Sequence, residues 1–209
     1  MNFLFQESLL SPSTVALELG AGISGLIGLC LSSRIGHYIL TDQEYVLKTL
    51  TQNVEQNSRA THGQARRFWR HHGRKADQSP RGTAEHSNIE VTALDWETSD
   101  VKSLKRTMKK TPDVLLAADC IFNPAIIQPF VSTLADLASP EEPQAPPVVA
   151  IIAQQLRSPD VFTEWLEITM QKFRVWRIRE EALRVPGQTV DAGLTVGEGY
   201  VVHICVLKQ

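Results

Sequence analysis

Four acidic side chains, each placed within or after an apolar run, are the residues of this sequence that could do chemistry together. Residues 17–25 read LELGAGISG, so Glu18 lies inside an apolar run that ends in a glycine turn. Asp42, Asp95 and Asp119 each follow a later apolar run. Carboxylates at strand ends accept hydrogen bonds from ribose hydroxyls and amino groups, and they attract cations. The pattern is typical of a site for a nucleoside cofactor that is held by its hydroxyls.

The glycine turn matches the G-x-G-x-x-G fingerprint of dinucleotide-binding proteins at Gly20, Gly22 and Gly25. Glycine permits the tight turn and lets backbone N–H groups face a ligand. Glu18 argues against a dinucleotide, because that strand position is usually apolar and an unpaired buried carboxylate is costly. We therefore expect a hydrogen-bond donor or a cationic ligand beside Glu18. A Glu that is bonded only within the protein is the alternative.

The three aspartates each allow a functional and a structural interpretation. Asp42 could accept both hydroxyls of a ribose, it could cap the helix that follows, and both roles are compatible. Asp95 could accept from an adenine amino group while Trp96 walls the ring, or the two could be a strand-end Asp and a core Trp. Asp119 and Phe122 could receive an incoming amine, the carboxylate holding the ammonium beside the aromatic face. The alternative for Asp119 is a position at a helix N-terminus.

Alternating strands and helices must position these side chains. Strands are predicted at 15–20, 37–42, 89–96, 113–120, 148–154, 174–183 and 199–208. Helices are predicted at 24–34, with Ser24 as its cap, and at 44–57, 99–109, 124–139 and 159–173. No helix separates the last two strands, so they should pair antiparallel. The order predicts a single α/β domain over residues 1–209, with a doubly wound, mostly parallel seven-stranded sheet and an antiparallel last strand.

Two segments depart from this alternation. Residues 58–88 hold seven Lys/Arg and two Asp/Glu, and we interpret them as a disordered basic surface insertion. A basic tether to RNA or the ribosome, with Phe68 and Trp69 as stacking groups, is the alternative. Residues 140–147 are rich in proline and are predicted to form a surface linker.

The overall charge disfavours a nucleic-acid-binding protein. The 209 residues carry a net charge of −2, and the basic segment at 58–88 leaves the remainder more acidic still. We therefore expect nucleic-acid contact only through that segment. The apolar run at 15–31 contains Glu18 and four glycines, which favours a strand, turn and helix over a membrane span.

Cysteines and histidines add little chemistry. Cys30, Cys120 and Cys205 lie in apolar runs without CxxC spacing, so we expect buried, reduced thiols. Reduced thiols point to the cytoplasm, with the nucleus as an alternative. His71 and His72 lack further ligands at metal-binding spacing, and no metal site is expected.

Four motifs in this order resemble a known family. They are ELGAGISG, the strand-end Asp42, LDW at 94–96 and ADCIFN at 118–123. Together they resemble the seven-β-strand class I methyltransferases, which are Rossmann-like and use S-adenosylmethionine. LDW with Asp-x-x-Phe is similar to methyltransferase family 16, the protein-lysine methyltransferases. The stretch at 118–134 is most similar to the fungal ribosomal lysine N-methyltransferase 5 group.

The resemblance implies S-adenosylmethionine as the cofactor and a lysine as the methyl acceptor. The residues implied to bind the cofactor are Glu18, Gly20 and Gly22 at the methionine part, Asp42 at the ribose, Asp95 and Trp96 at the adenine, and Ala118 beneath the sulfonium. Asp119 and Phe122 are implied to be catalytic and to receive the lysine. An Asn-Pro-Pro-Tyr type of motif is absent at 119–124, which disfavours amide or base nitrogens as acceptors.

The implied partner is a protein substrate, either a ribosomal protein or a translation factor, and the enzyme is expected to be a monomer. An NAD-dependent oxidoreductase is one alternative, but it would need an apolar residue at Glu18 and room for a substrate domain. A catalytically inactive methyltransferase-like scaffold is the other. It is favoured because few residues precede the first strand, where the family carries a covering segment. We expect either weakened cofactor affinity or an incomplete chain.

Overall fold

A seven-stranded sheet runs through the computed structural model, which describes residues 9–71, 88–108, 110–142, 144–179, 181 and 199–208, without the side chains of 59–71. The strands are β1 (Val15–Leu19), β2 (His37–Asp42), β3 (Ile89–Ala93), β4 (Val114–Ala118), β5 (Val149–Gln155), β6 (Phe173–Arg177) and β7 (Tyr200–Leu207). The helices are α1 (Leu26–Leu31), α2 (Glu44–His71), α3 (Val101–Thr107), α4 (Ile127–Ala138) and α5 (Pro159–Lys172).

The strand order is β3-β2-β1-β4-β5-β7-β6, with β1 near the centre of the sheet. Strands β1 to β5 pair in parallel, and β7 pairs antiparallel with β5 and β6. The predicted α/β class, the mostly parallel seven-stranded sheet and the antiparallel last strand are therefore confirmed. Since β1 to β5 run in parallel, their carboxyl ends meet along one edge.

Each face of the sheet is covered by its own apolar core. Leu17 and Leu19 of β1 pack on one face, with Phe130 of α4 and Trp165 of α5. Residues of β2, such as Tyr38, pack on the other face with α1 and α2. All five residues of β1 are buried, as expected for a central parallel strand with helices on both sides.

Helix α1 is shorter than predicted and starts differently. It covers Leu26–Leu31 and continues as a 3₁₀ turn over Ser32–Arg34. Gly25, rather than Ser24, is its N-cap residue, and its φ of 56° lies in the left-handed region. A Cβ at Gly25 would lie 2.9 Å from a Leu50 methyl group, so close packing on α2 also requires glycine here.

Helix α2 is longer than predicted. It continues from Glu44 to His71, although the sequence pattern predicted an end at Asn57. The predicted disordered insertion at 58–88 therefore begins inside a helix, and this part of the prediction differs from the structure. Residues 72–87 lie outside the described residues.

The remaining boundaries differ by a few residues. Asp100 caps α3 and Ser158 caps α5, each accepting from a backbone N–H of the first turn. A 3₁₀ turn at Pro124–Ile126 precedes α4. The described residues of 140–147 lie on the surface between α4 and β5.

The three cysteines are free, but only part of the prediction for them holds. Cys205 is buried and Cys120 is half-buried, whereas Cys30 on α1 is exposed, contrary to the expectation of a buried thiol. Across the described residues, no helix is both long enough and apolar enough to cross a membrane.

Candidate active site

The predicted site residues gather at the carboxyl edge of the parallel strands, where the segments after β1, β2, β3 and β4 touch one another. The Gly22 N–H donates to Asp42 Oδ2 at 2.8 Å, which joins the first two segments. The Gln43 side-chain amide donates to Asp95 Oδ2 at 3.2 Å, which joins the second and third. The geometry thus brings together the four segments that the sequence singled out.

Gly20 and Gly22 form the turn after β1, and they are glycines for different reasons. Both have positive φ, 69° and 63°. A Cβ on Gly20 would lie 3.0 Å from the Cys120 Cβ and 3.2 Å from the Trp96 ring, whereas a Cβ on Gly22 would meet no atom of the described residues within 4 Å. Gly20 therefore permits close packing between segments, and Gly22 leaves open space over its backbone, as an approaching ligand needs.

Glu18 is buried, with 3% of its surface exposed, and the Tyr38 hydroxyl donates to its Oε2 at 2.8 Å. Burial raises the pKa of Glu18 from 4.5 to about 7; the Tyr38 hydrogen bond opposes this and the negative charge of Asp42 adds to it. Burial and the neighbouring Glu18 raise the pKa of Tyr38, so its hydroxyl stays a donor. The hydrogen-bond donor expected beside Glu18 is therefore the neutral Tyr38 hydroxyl. This donor does not balance the negative charge of the ionised carboxylate.

Asp42 holds the glycine turn rather than capping α2. Its Oδ2 accepts from the Gly22 N–H and its Oδ1 accepts from the Gln43 N–H, both at 2.8 Å. Both donors precede Glu44, where α2 begins. Each carboxylate oxygen keeps a further lone pair that can accept from a ligand hydroxyl.

Asp95 and Trp96 lie in the loop after β3, which ends at Ala93 rather than at Trp96 as predicted. Asp95 Oδ1 accepts from the Glu97 N–H at 2.9 Å. The Trp96 ring packs edge-on against Phe130, with 5.1 Å between centroids. Its Nε1 is buried and has no hydrogen-bond partner among the described residues. Trp96 thus packs in the core and also lies against the glycine turn at Gly20.

Asp119 follows β4 in a left-handed conformation with φ of 53°. Its N–H donates to the Ala153 carbonyl at 2.8 Å, and its Oδ1 accepts from the Gln155 N–H at 3.3 Å. Its Oδ2 accepts a charged hydrogen bond from Arg157 Nη2. Asn123, and not Asp119, caps the following 3₁₀ turn. The structure therefore contradicts the alternative in which Asp119 sits at a helix N-terminus.

Phe122 and Ala118 flank Asp119 in different environments. Phe122 is 66% exposed and lines a cavity of about 80 Å³ together with Gln154 and Arg157. Ala118 is half-buried at the end of β4, in register with Ala153 of β5. Within the described ranges, no three His, Cys, Asp or Glu side chains are placed to hold a metal ion.

Sequence reasoning missed three residues that complete this geometry, namely Tyr38, Gln43 and Arg157. Tyr38 and Thr41 carry the two polar groups at buried positions of β2, and the Tyr38 hydroxyl could have suggested a partner for the Glu18 carboxylate. Arg157 lies two residues after the end of β5, at the edge where the aspartates were expected, so its position was a usable signal. Gln43 gave no signal beyond its place next to Asp42.

Comparisons with known proteins identify the family of this chain. A family profile described as lysine methyltransferase matches residues 5–72 and 75–167. A ribosomal lysine N-methyltransferase 5 from Candida glabrata is 31% identical over 181 residues, which cover 79% of this chain and 51% of that protein. A diaminohydroxyphosphoribosylamino-pyrimidine deaminase from Schizosaccharomyces pombe is 31% identical over 174 residues, covering 83% of this chain and 35% of that protein.

The chain thus spans between a third and about half of the length of these two relatives. The N-methyltransferase NodS from Bradyrhizobium japonicum, solved with S-adenosyl-L-homocysteine, has the same fold with a TM-score of 0.52 and 10% identity, covering 93% of this chain and 78% of that one. These findings confirm the resemblance stated from the motifs. The profile match runs from before the glycine turn into α5, and the chain belongs to the lysine methyltransferase family.

Proposed function

We propose that this protein is an S-adenosylmethionine-dependent protein-lysine N-methyltransferase. The observation that carries the proposal is the family match over residues 5–167, with one gap, because it includes all the segments that meet at the carboxyl edge. The family match also argues against the NAD-dependent alternative. The activity of the whole protein remains our proposal, since the relatives extend well beyond the matched region.

Three features of the site fit the proposed cofactor. Glu18 is a buried carboxylate beside a neutral donor, so a cationic ligand would stabilise its ionised form. The open space over Gly22 lets a ligand approach the backbone. The Nε1 of Trp96, which has no hydrogen-bond partner in the described part of the chain, offers a donor to a ligand at the third strand end. When bound, S-adenosylmethionine supplies an activated methyl group.

Each site residue receives a role in this proposal. The cofactor would be held by Glu18, Gly20 and Gly22 at its methionine part, Asp42 at its ribose, Asp95 and Trp96 at its adenine, and Ala118 beneath its sulfonium. Asp42 is suited to the ribose because two fixed N–H donors already orient its carboxylate.

Asp119 and Phe122 would act on the lysine. A lysine ammonium has no lone pair, so it must lose a proton before its nitrogen can act as a nucleophile. The Asp119 carboxylate attracts and orients the amine, and the exposed Phe122 ring lines the route by which the lysine side chain approaches. Asp119 is held by backbone contacts to Ala153 and Gln155, so its position is set before the substrate arrives.

We further propose that the substrate is a ribosomal protein or a translation factor, encountered in the cytoplasm by a monomeric enzyme, with the nucleus as the alternative location. The name of the Candida glabrata relative supports a ribosomal substrate. The acidic balance of the chain outside 58–88 would attract basic proteins such as these. Nucleic-acid contact through 58–88 stays a prediction.

The test is transfer of labelled methyl from S-adenosylmethionine into lysines of ribosomal fractions. Asp119→Asn should lower the rate by about 10²-fold, because the amine loses its orienting charge. Calorimetric titration with S-adenosylhomocysteine should be unchanged in this variant. Asp136→Asn, the same change at an exposed position on α4, is the control and should match wild type. Equal transfer by wild type and Asp119→Asn would refute the role of Asp119.

The inactive-scaffold alternative predicts a different outcome. A scaffold would keep its circular dichroism spectrum and unfold cooperatively, yet would bind neither S-adenosylhomocysteine nor NAD in the same titrations. Binding of S-adenosylhomocysteine but not NAD would leave the methyltransferase proposal standing.

A further inference from the structure

The ion pair between Arg157 and Asp119 occupies the group that is proposed to receive the lysine. Arg157 is held there from two sides, since its Nη2 donates to Asp119 Oδ2 and its Nε donates to Gln155 Oε1 at 2.6 Å. The two side chains are 55% and 36% exposed. A substrate can therefore reach this pair from solvent.

A lysine that approaches Asp119 meets a second cation at the same carboxylate. Asp119 Oδ1 already accepts from the Gln155 N–H, and Oδ2 accepts from Arg157. A lysine ammonium beside Asp119 would lie close to the Arg157 guanidinium, and like charges at such a distance repel. The lysine must either bind despite this repulsion or belong to a substrate in which a neighbouring group pairs with Arg157 in place of Asp119.

The cavity beside the pair is where the substrate would bring such a group. It lies between Phe122 on the loop after β4 and Phe162 on α5, and Arg157 forms part of its wall. A side chain next to the target lysine that enters this cavity would meet the guanidinium. A carboxylate is the group that a guanidinium binds best, because its two oxygens match the planar donors.

We propose that Arg157 selects lysines that have an acidic neighbour in the substrate. In the complex, the substrate carboxylate pairs with the Arg157 guanidinium and the lysine ammonium pairs with the Asp119 carboxylate. Each charged group therefore has a partner of opposite charge. The inference rests on the proposed function and names the substrate class of the same site, a lysine next to Asp or Glu. Arg157 acts as a specificity-determining residue.

The experiment compares two peptides that differ only in the residue beside the lysine, Glu in one and Gln in the other. Peptide binding is measured by fluorescence anisotropy with the full chain saturated with S-adenosylhomocysteine, and methyl transfer is measured separately. Wild type should bind the Glu peptide about fivefold more tightly than the Gln peptide, as one exposed ion pair allows. Arg157→Gln should bind both alike, and Arg157→Glu should bind the Gln peptide more tightly than the Glu peptide, because like charges repel.

Arg174→Gln is the matched control. Arg174 is an exposed arginine on β6, in register with Val206 and hence at the opposite edge of the sheet. This variant should keep the wild-type preference. Equal binding of both peptides by wild type, binding of neither, or a preference that survives in Arg157→Gln would overturn the inference. Charge-selective binding without any methyl transfer would instead overturn the proposed function and leave the selection by Arg157 standing.

Discussion

Replacing Glu18 by Gln tests whether ionisation of this buried carboxylate lowers the free energy of unfolding. Burial raises its pKa from 4.5 to about 7 in the folded protein. The unfolded chain ionises this group at its ordinary pKa, so the folded state loses relative stability as soon as the pH exceeds 4.5. The stability contributed by the neutral carboxyl is complete below pH 4.5 and is lost as the pH rises to about 7. The pKa difference corresponds to about 3 kcal/mol.

Glu18→Gln removes this titration and keeps the hydrogen bond, because the amide oxygen still accepts from the Tyr38 hydroxyl. Relative to wild type, its free energy of unfolding should therefore grow by about 3 kcal/mol between pH 4 and pH 8. Urea unfolding at five pH values over this range measures the difference directly. Asp136→Asn makes the same chemical change at an exposed site and should show no such growth.

The same variant should bind the cofactor less well while being more stable. In the proposed function, the cationic cofactor favours the ionised form of Glu18, so wild-type affinity for S-adenosylmethionine should rise between pH 6 and pH 8. Glu18→Gln should lose that pH dependence in calorimetry. The reasoning is refuted if the difference in free energy of unfolding between wild type and Glu18→Gln is the same at every pH. Ionisation of Glu18 would then not lower the stability of the folded protein.

Four further substitutions test other parts of the structure, each by urea unfolding. Gly20→Ala and Gly22→Ala both incur about 1 kcal/mol of left-handed strain, but Gly20→Ala also clashes with neighbouring atoms and should be clearly the less stable variant. Burial lowers the pKa of His203, so its contribution to stability should fall as the pH drops below 6.5, and the stability of His203→Phe relative to wild type should grow over that range. Asn88→Ala removes hydrogen bonds from the Asn88 amide to backbone carbonyls near the start of β2 and should cost about 2 kcal/mol at every pH. A cost below about 0.5 kcal/mol would show that water replaces those bonds.

The strands could be predicted because central parallel strands must be apolar on both faces, and every one of them was located. Their ends were harder to place. Leu94 is 1% exposed although it follows β3, so burial of a loop residue extended the apparent strand to Trp96. The end of α2 was missed for the opposite reason, because the apolar spacing stops after Val54 while the helix continues through a stretch with frequent Arg, Gln and Ala, which are good helix formers.

The position of the site could also be predicted, since parallel topology alone puts Glu18, Asp42, Asp95 and Asp119 at or near one edge. Their hydrogen-bond partners could not. The contact between Asp119 and Arg157 depends on how two loops fold back after their strands, and no spacing in the sequence encodes that approach.

The length of α2 has a practical consequence for engineering. The helix begins next to the site, and its 28 residues extend over about 42 Å, roughly twice the length of the six-residue strand before it. Asn88, where the described chain resumes, donates to the carbonyls of Ser32 and Ile35, which lie before β2 and thus at the far edge of the sheet. A fluorescent reporter or affinity handle attached next to Asn88 should therefore leave the edge that carries the candidate site free.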